Sequence, residues 1–178
     1  MADLSTLGIA PILVMGVCGT GKTTIARRTA QAMGAAFLDA DDFHPPENVA
    51  RMAAGLPLDD SMRWQWLDRV AEAVAETTRR EGAQVVLACS ALKRTYRDRL
   101  RARLGPIHVA HLSGPPALIA ERMTARPGHF MPVGLLDSQL ADLEPPGQEE
   151  DALICDISRP PEALCAQIRA KWGPALQE

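Results

Sequence analysis

The sequence predicts an α/β fold, a doubly wound, parallel five-stranded sheet flanked by helices, in one domain spanning residues 1–178. Short apolar runs alternate with longer segments of helical periodicity, as in sheets whose parallel strands are joined by crossover helices. A glycine-rich segment follows the first apolar run, where such folds place a phosphate-binding loop. The length of 178 residues suits one compact core.

Each predicted strand is a short, mostly apolar run, and each predicted helix is a longer segment between two such runs. The strands are predicted at residues 12–16, 36–39, 84–89, 107–112 and 152–157. The helices are predicted at residues 22–33, 46–54, 62–80, 93–104, 116–125 and 161–172. Pro116 and Pro161 mark helix starts, because the first helical turn does not use the backbone N–H that proline lacks. The acidic segment 144–151 is expected to be a solvated loop.

The composition is that of a soluble globular protein, with 47% hydrophobic and 23% charged residues. No apolar run is long enough to span a bilayer and no secretory signal opens the sequence, so a cytoplasmic protein without a membrane partner is expected. The net charge of −3 gives no broad attraction for nucleic acid. The four cysteines lack the paired spacing of zinc sites and are expected to be reduced thiols.

Residues 16–23 match the phosphate-loop motif GxxxxGK[ST] and lie between an apolar strand and a helix. Their backbone N–H groups and the positive end of the helix are expected to face phosphate oxygens. Lys22 is expected to reach the β- and γ-phosphates of ATP, and the Thr23 hydroxyl to hold Mg²⁺. The predicted nucleotide-binding residues of this loop are Gly16, Val17, Cys18, Gly19, Thr20, Gly21, Lys22 and Thr23.

Two carboxylates follow the second predicted strand, and in extended geometry Asp39 and Asp41 would face the same side. A phosphoryl-transfer enzyme needs one carboxylate for the hydrated metal and another to orient or deprotonate the attacking hydroxyl. We assign these roles to Asp39 and Asp41, respectively. The alternative is an acidic turn that only caps a helix. The third strand ends without an aspartate and leads to Ser90 and Lys93, and Ser90 is either a site residue or a helix cap.

Three further segments resemble the P-loop gluconokinases: Asp-Ala-Asp-Asp-Phe-His-Pro at 39–45, Cys-Ser-Ala-Leu-Lys-Arg-Thr-Tyr-Arg-Asp at 89–98 and Gly-His-Phe-Met-Pro at 128–132. The resemblance covers nearly the whole chain. It implies ATP-dependent phosphorylation of D-gluconate to 6-phospho-D-gluconate, on a fold similar to shikimate and adenylate kinases. It also implies a homodimer, while the Mg²⁺ cofactor is expected from the phosphate loop itself.

By position within the matching motifs, the resemblance assigns residues to two further parts of the site. The gluconate pocket is expected to contain Asp41, His44, Arg63, Ser90, Lys93, Arg97, His129 and Gln139. A short lid is expected at about residues 122–140, with Arg126 reaching the transferred phosphoryl group and Arg122 the nucleotide. The alternative for Arg97, Arg122 and Arg126 is a solvated helix surface. The loop at residues 156–161 is expected to border the adenine, by analogy.

Two other functions compete with this one. The first is another small-metabolite kinase of the same fold, since shikimate also carries a carboxylate. The second is a nucleotide-dependent switch without a metabolite acceptor. The sequence has no guanine-reading Asn-Lys-x-Asp segment, and a switch has no need of a cluster of Asp, His, Arg and Lys at the strand ends.

Overall fold

A computed structural model of the chain describes residues 8–125 and 133–174. Within them, five parallel strands form one sheet in the order β2-β3-β1-β4-β5. The strands are β1 (Ile12–Met15), β2 (Ala36–Asp39), β3 (Val85–Ala88), β4 (His108–Ser113) and β5 (Leu153–Asp156). In the centre, Ile12 of β1 is in register with Val86 on one side and His108 on the other. The predicted parallel five-stranded sheet is therefore confirmed.

Seven α-helices lie within the described residues. They are α1 (Lys22–Met33), α2 (Pro46–Ala53), α3 (Asp60–Glu81), α4 (Arg94–Leu104), α5 (Pro116–Thr124), α6 (Val133–Asp142) and α7 (Pro161–Trp172). Two 3-10 helices, Ala40–Phe43 and Gln148–Glu150, precede α2 and β5. The sequence analysis missed α6 and both 3-10 helices. It also placed the start of α3 two residues too late. The helix begins at Asp60, because Asp59 caps it by accepting a hydrogen bond from the Met62 N–H at 2.9 Å.

The sheet is buried on both faces, which explains why its strands read as apolar runs. On one face, Leu13 and Leu87 pack with Val70 of α3 and Leu100 of α4. On the other face, the alternate strand residues pack with α1 and α7, as Ile12, Val14 and Ile168 do. Because side chains alternate between two filled layers, the strands cannot slip by one residue without exchanging the two cores.

The acidic segment before β5 is not a solvated loop throughout, contrary to the prediction. Glu150 is buried and pairs with Arg97 and Arg101 of α4. Glu149, which is exposed, pairs with Arg94. The segment is thus attached to α4 from its first residue to its last turn. Among the residues that the structure describes, no helix combines the length and apolar character needed to span a membrane.

Candidate active site

The glycine-rich segment has its predicted position, between the end of β1 and the start of α1. Gly19 adopts a φ of +81°, and a Cβ atom there would lie 2.6 Å from Cγ of Met123. Only glycine fits this left-handed backbone and this close approach to α5. The Thr20 hydroxyl donates a hydrogen bond to the Val17 carbonyl at 2.8 Å and closes the loop on itself. The result is a compact backbone turn at the N-terminus of α1, the geometry that binds phosphate.

Lys22 opens α1, and its Nζ donates a hydrogen bond to the Val17 carbonyl at 3.0 Å. Its ammonium group therefore lies against the loop. Desolvation lowers the pKa of Lys22, and nearby acidic groups, chiefly Asp41, oppose that shift. An anion held by the loop would stabilise the charged ammonium further, so the geometry suits a ligand with phosphate groups.

Thr23 and Asp39 are in direct contact, as expected for two ligands of one metal ion. The Thr23 hydroxyl donates a hydrogen bond to Oδ2 of Asp39 at 2.7 Å. The other oxygen, Oδ1, accepts from the Asp41 N–H at 3.1 Å and caps the 3-10 helix Ala40–Phe43. A hydroxyl and a carboxylate are ligands that Mg²⁺ accepts, with water and phosphate oxygens filling its remaining positions. The capping alternative also holds for Asp39, but it uses only one carboxylate oxygen.

Asp41 lies in the 3-10 helix, whereas the sequence analysis assumed an extended strand. Its side chain is 85% exposed. Partial desolvation by the surrounding protein raises the pKa of Asp41, the charge of Asp39 raises it further, and Lys22 lowers it. The carboxylate is thus open to solvent yet electrostatically connected to the lysine of the phosphate loop.

His44 lies beside this carboxylate in a buried position. Its ring stacks on Trp66, with centroids 4.3 Å apart, and its side chain is only 6% exposed. The Asn48 Nδ2 group donates to the Met62 carbonyl and faces Nδ1 of His44, both at 3.3 Å. Because that amide nitrogen is a donor, Nδ1 is an acceptor and the proton of the neutral ring sits on Nε2, which is 3.8 Å from Asp41.

The neutral state of His44 follows from its surroundings. Desolvation and the positive charge of Arg63 lower the pKa of His44 to about 4. At neutral pH the ring therefore presents an uncharged N–H toward Asp41. The sequence analysis expected His44 to contact a ligand, and in this structure its described contacts are to Trp66, Asn48 and Asp41.

A second cluster joins the start of α3 to the start of α4. The Asp60 carboxylate accepts hydrogen bonds from the Tyr96 hydroxyl at 2.5 Å and from Lys93 Nζ at 3.2 Å. Arg63 donates to the Tyr96 hydroxyl at 2.9 Å and lies 3.6 Å from Asp60. The structure thus brings together Arg63 and Lys93, which are 30 residues apart in sequence. It adds Asp60 and Tyr96, which the sequence analysis missed, although Tyr96 lies inside one of the matching segments.

Ser90 lies between β3 and α4 and is half-buried. The residue that caps α4 is Lys93 and not Ser90, so the capping alternative for Ser90 is wrong. Ser90 and Lys93 are therefore carried by one short loop, which also contains Ala91 and Leu92.

Arg97 is not in the acceptor pocket, and that prediction was wrong. Its side chain is fully buried and forms a two-pronged ion pair with Glu150. Its remaining nitrogen donates to the carbonyl groups of Ala91 and Leu92 at 3.1 and 3.0 Å. All three guanidinium nitrogens are thereby occupied. The helical spacing from Lys93 does not bring the two cations to one anion.

Gln139 contacts the phosphate loop. Its Oε1 accepts a hydrogen bond from the Cys18 N–H at 2.6 Å, so a residue predicted for the acceptor pocket here uses one of the loop's donors. Arg122 of α5 donates to the Ile157 carbonyl at 2.6 Å, within the loop expected to border the adenine. Arg126 and His129 lie outside the described residues, as does the centre of the predicted lid.

Comparison with known proteins agrees with this arrangement. A family profile described as an AAA domain matches residues 12–146. A gluconokinase from Gluconobacter oxydans is 41% identical over 164 residues, covering 91% of this chain and 92% of that protein. The crystal structure of an unliganded sugar kinase from Janibacter is 45% identical with a TM-score of 0.83, covering 91% of this chain and 93% of the other. A gluconokinase structure from Sinorhizobium meliloti is 39% identical with a TM-score of 0.78, covering 91% and 94%.

Replacing His44 with Gln tests the buried neutral ring. In the wild type, the unfolded chain protonates His44 near pH 6.5 and the folded chain only near pH 4, so stability falls as the pH drops through this window. The full shift corresponds to about 3 kcal/mol of unfolding free energy. Urea unfolding across this window should show a flatter pH dependence in His44→Gln. Equal pH dependence in both proteins would contradict the depressed pKa.

Replacing Gln139 with Ala frees the Cys18 N–H for a phosphate oxygen. One hydrogen bond contributes about 1 kcal/mol, so calorimetry should give an ADP dissociation constant about five-fold lower than in the wild type. Asp137→Ala, at an exposed position of the same helix, is the control. Unchanged ADP binding with a higher KM for the acceptor would instead support the predicted place of Gln139 in the acceptor pocket.

Proposed function

Because this chain belongs to the gluconokinase family of P-loop kinases, we propose that it transfers the γ-phosphate of ATP to a hydroxyl group of D-gluconate and forms 6-phospho-D-gluconate. One observation carries the proposal. The turn after β2 links both halves of the site, since Asp39 bonds to Thr23 while Asp41 lies 3.8 Å from His44. A carboxylate between a phosphate loop and a polar cluster is what transfer to a hydroxyl requires.

The phosphate loop would hold the nucleotide through its backbone N–H groups and the N-terminus of α1. Lys22 would leave the Val17 carbonyl to meet the β- and γ-phosphates, which restore the solvation that the ammonium lacks. Thr23 and Asp39 would hold Mg²⁺, which when bound neutralises negative charge on these phosphates.

Asp41 would orient the attacking hydroxyl and accept its proton. The acceptor oxygen forms a bond to the γ-phosphorus, the bond from that phosphorus to the bridging oxygen breaks, and ADP leaves. The raised pKa of Asp41 brings the carboxylate closer to the basicity that general-base catalysis favours, although it must stay ionised at the working pH. The Nε2–H of neutral His44 faces this carboxylate and would help to fix its direction.

Arg63 and Lys93 would bind the gluconate carboxylate, with Ser90 and His44 near its hydroxyls. Asp60 offsets part of this positive charge, since it already contacts both cations. One internal carboxylate between two cations leaves an excess of positive charge that matches a monoanionic sugar acid. A dianionic acceptor such as AMP would find too little positive charge in this cluster to balance its own two negative charges.

Other assignments rest on the family resemblance alone. Among them are Arg126 at the transferred phosphoryl group, Arg122 at the nucleotide and His129 at gluconate. We also propose a cytoplasmic homodimer, for which the composition and the resemblance are the support.

The acceptor can be identified by a coupled assay of ADP release from Mg-ATP with gluconate, shikimate, AMP or water. We expect gluconate alone to raise the rate above that with water. Stimulation by shikimate would favour the related metabolite kinase. Nucleotide binding without stimulation by any acceptor would favour the nucleotide-dependent switch.

Replacing Asp41 with Asn removes the base but keeps the side-chain shape. We expect kcat to fall about 10²- to 10⁴-fold with the KM for ATP nearly unchanged. Asp42→Asn, one residue away, is the matched control and should keep wild-type turnover, whereas Lys22→Ala should impair ATP binding and turnover together. In the wild type, kcat/KM should fall as the pH is lowered through the raised pKa of Asp41. Retained turnover in Asp41→Asn would refute the base assignment.

A further inference from the structure

The loop between β3 and α4 is held in an uncommon backbone conformation. Ala91 has a φ of +40°, in the left-handed region that non-glycine residues rarely adopt. Such a conformation persists only where the surrounding structure imposes it. Ser90 precedes this residue and Lys93 follows it by two positions, so the conformation of Ala91 decides how the two side chains are presented.

Arg97 supplies the contacts that impose this conformation. It lies in the first turn of α4, and its Nη1 donates to the carbonyl groups of Ala91 and Leu92. The side chain is fully buried, so water cannot replace either hydrogen bond. The Leu92 carbonyl also accepts from the Glu144 N–H at 3.0 Å.

Glu150 fixes the guanidinium from the opposite side. Its two carboxylate oxygens accept from Nε and Nη2 of Arg97, each at 2.8 Å, and its side chain is 2% exposed. Arg101 adds a third hydrogen bond at 2.7 Å. Burial alone would raise the pKa of Glu150, but these bonds and charges outweigh burial and lower it to about 2. The pair is therefore charged at any pH at which the enzyme would work.

A buried ion pair of this kind is a poor source of stability. Desolvation of two charges offsets most of their attraction, and apolar replacement of the whole pair is often neutral or stabilising. Removal of one partner alone is strongly destabilising, because the other charge is left unpaired. An apolar pair would fill the same space but could not donate to the two carbonyl groups. Replacing both residues therefore removes the contacts to the loop without the large loss of stability that follows the removal of one partner.

We propose that Arg97 is a positioning residue for the acceptor site. It holds the carbonyl groups of Ala91 and Leu92 and thereby sets the direction in which Ser90 and Lys93 face the acceptor. Glu150 keeps the guanidinium in place from the segment before β5. The role in acceptor binding rests on the proposed function, but the holding of the loop does not. Arg97 acts through the loop and does not touch the substrate.

The test is the double variant Arg97→Met with Glu150→Leu, measured for thermal unfolding, steady-state kinetics and amide hydrogen exchange. We expect the folded state to be retained, the KM for gluconate to rise at least about ten-fold, and the KM for ATP to stay within about two-fold. Amides 90–93 should exchange at least about ten-fold faster than in the wild type. Arg103→Met is the control, since Arg103 lies on the same helix but pairs with Asp68, and should leave both readouts unchanged.

A folded double variant with wild-type KM for gluconate and wild-type exchange at 90–93 would overturn the proposal. If the double variant does not fold, Arg97→Lys decides the question, because lysine keeps the charge beside Glu150 but cannot make the fork and both carbonyl bonds. Higher KM and faster loop exchange in Arg97→Lys support the proposal, and unchanged values refute it. Should the wild type fail to phosphorylate gluconate, the proposed function fails, and the exchange comparison, which needs no substrate, still decides whether Arg97 holds the loop.

Discussion

The double burial of the parallel sheet is the constraint on which the rest of the structure depends. Both faces of β1, β3 and β4 are filled, so their register is fixed, and Asp39 at the end of β2 lies beside Ala88 at the end of β3. The phosphate loop leaves the neighbouring β1. The segments that follow β1, β2 and β3 thus meet at the carboxyl ends of the strands, and the hydrogen bond from Thr23 to Asp39 joins two of them. The fixed positions of these strand ends let short loops hold the side chains of the site close together.

Charge in the site is balanced by residues placed in pairs. Asp41 and Lys22 shift each other's pKa in opposite directions, and Asp60 lies between Arg63 and Lys93. The charges of these groups are therefore partly compensated before a ligand binds. An anionic ligand at Arg63 or Lys93 would then exchange partners with the existing ion pairs to Asp60, which lowers the cost of reorganisation on binding.

The features predicted well from sequence are those encoded locally. The phosphate loop is a contiguous motif between a strand and a helix, and the apolar strand runs follow from burial on both faces. Arg97 could not be predicted in the same way, because its partner Glu150 is 53 residues away and lies in a segment whose composition suggested a solvated loop. Asp60 was missed for a similar reason. A carboxylate at a helix start looks like a cap, and only the tertiary contact with Tyr96 and Lys93 reveals its second use.

The buried pair of Arg97 and Glu150 also constrains how this sequence can change over evolutionary time. Substitution of Glu150 alone removes the partner of the buried Arg97 charge, and substitution of Arg97 alone leaves Glu150 with Arg101 but without its two-pronged partner. Breaking such a buried pair typically costs about 3–5 kcal/mol, which is a large part of a domain's stability. A lineage could reach an apolar pair only through such an unstable intermediate, or by changing both codons at once. We therefore expect the two positions to vary together, although the net energy of their contact is modest.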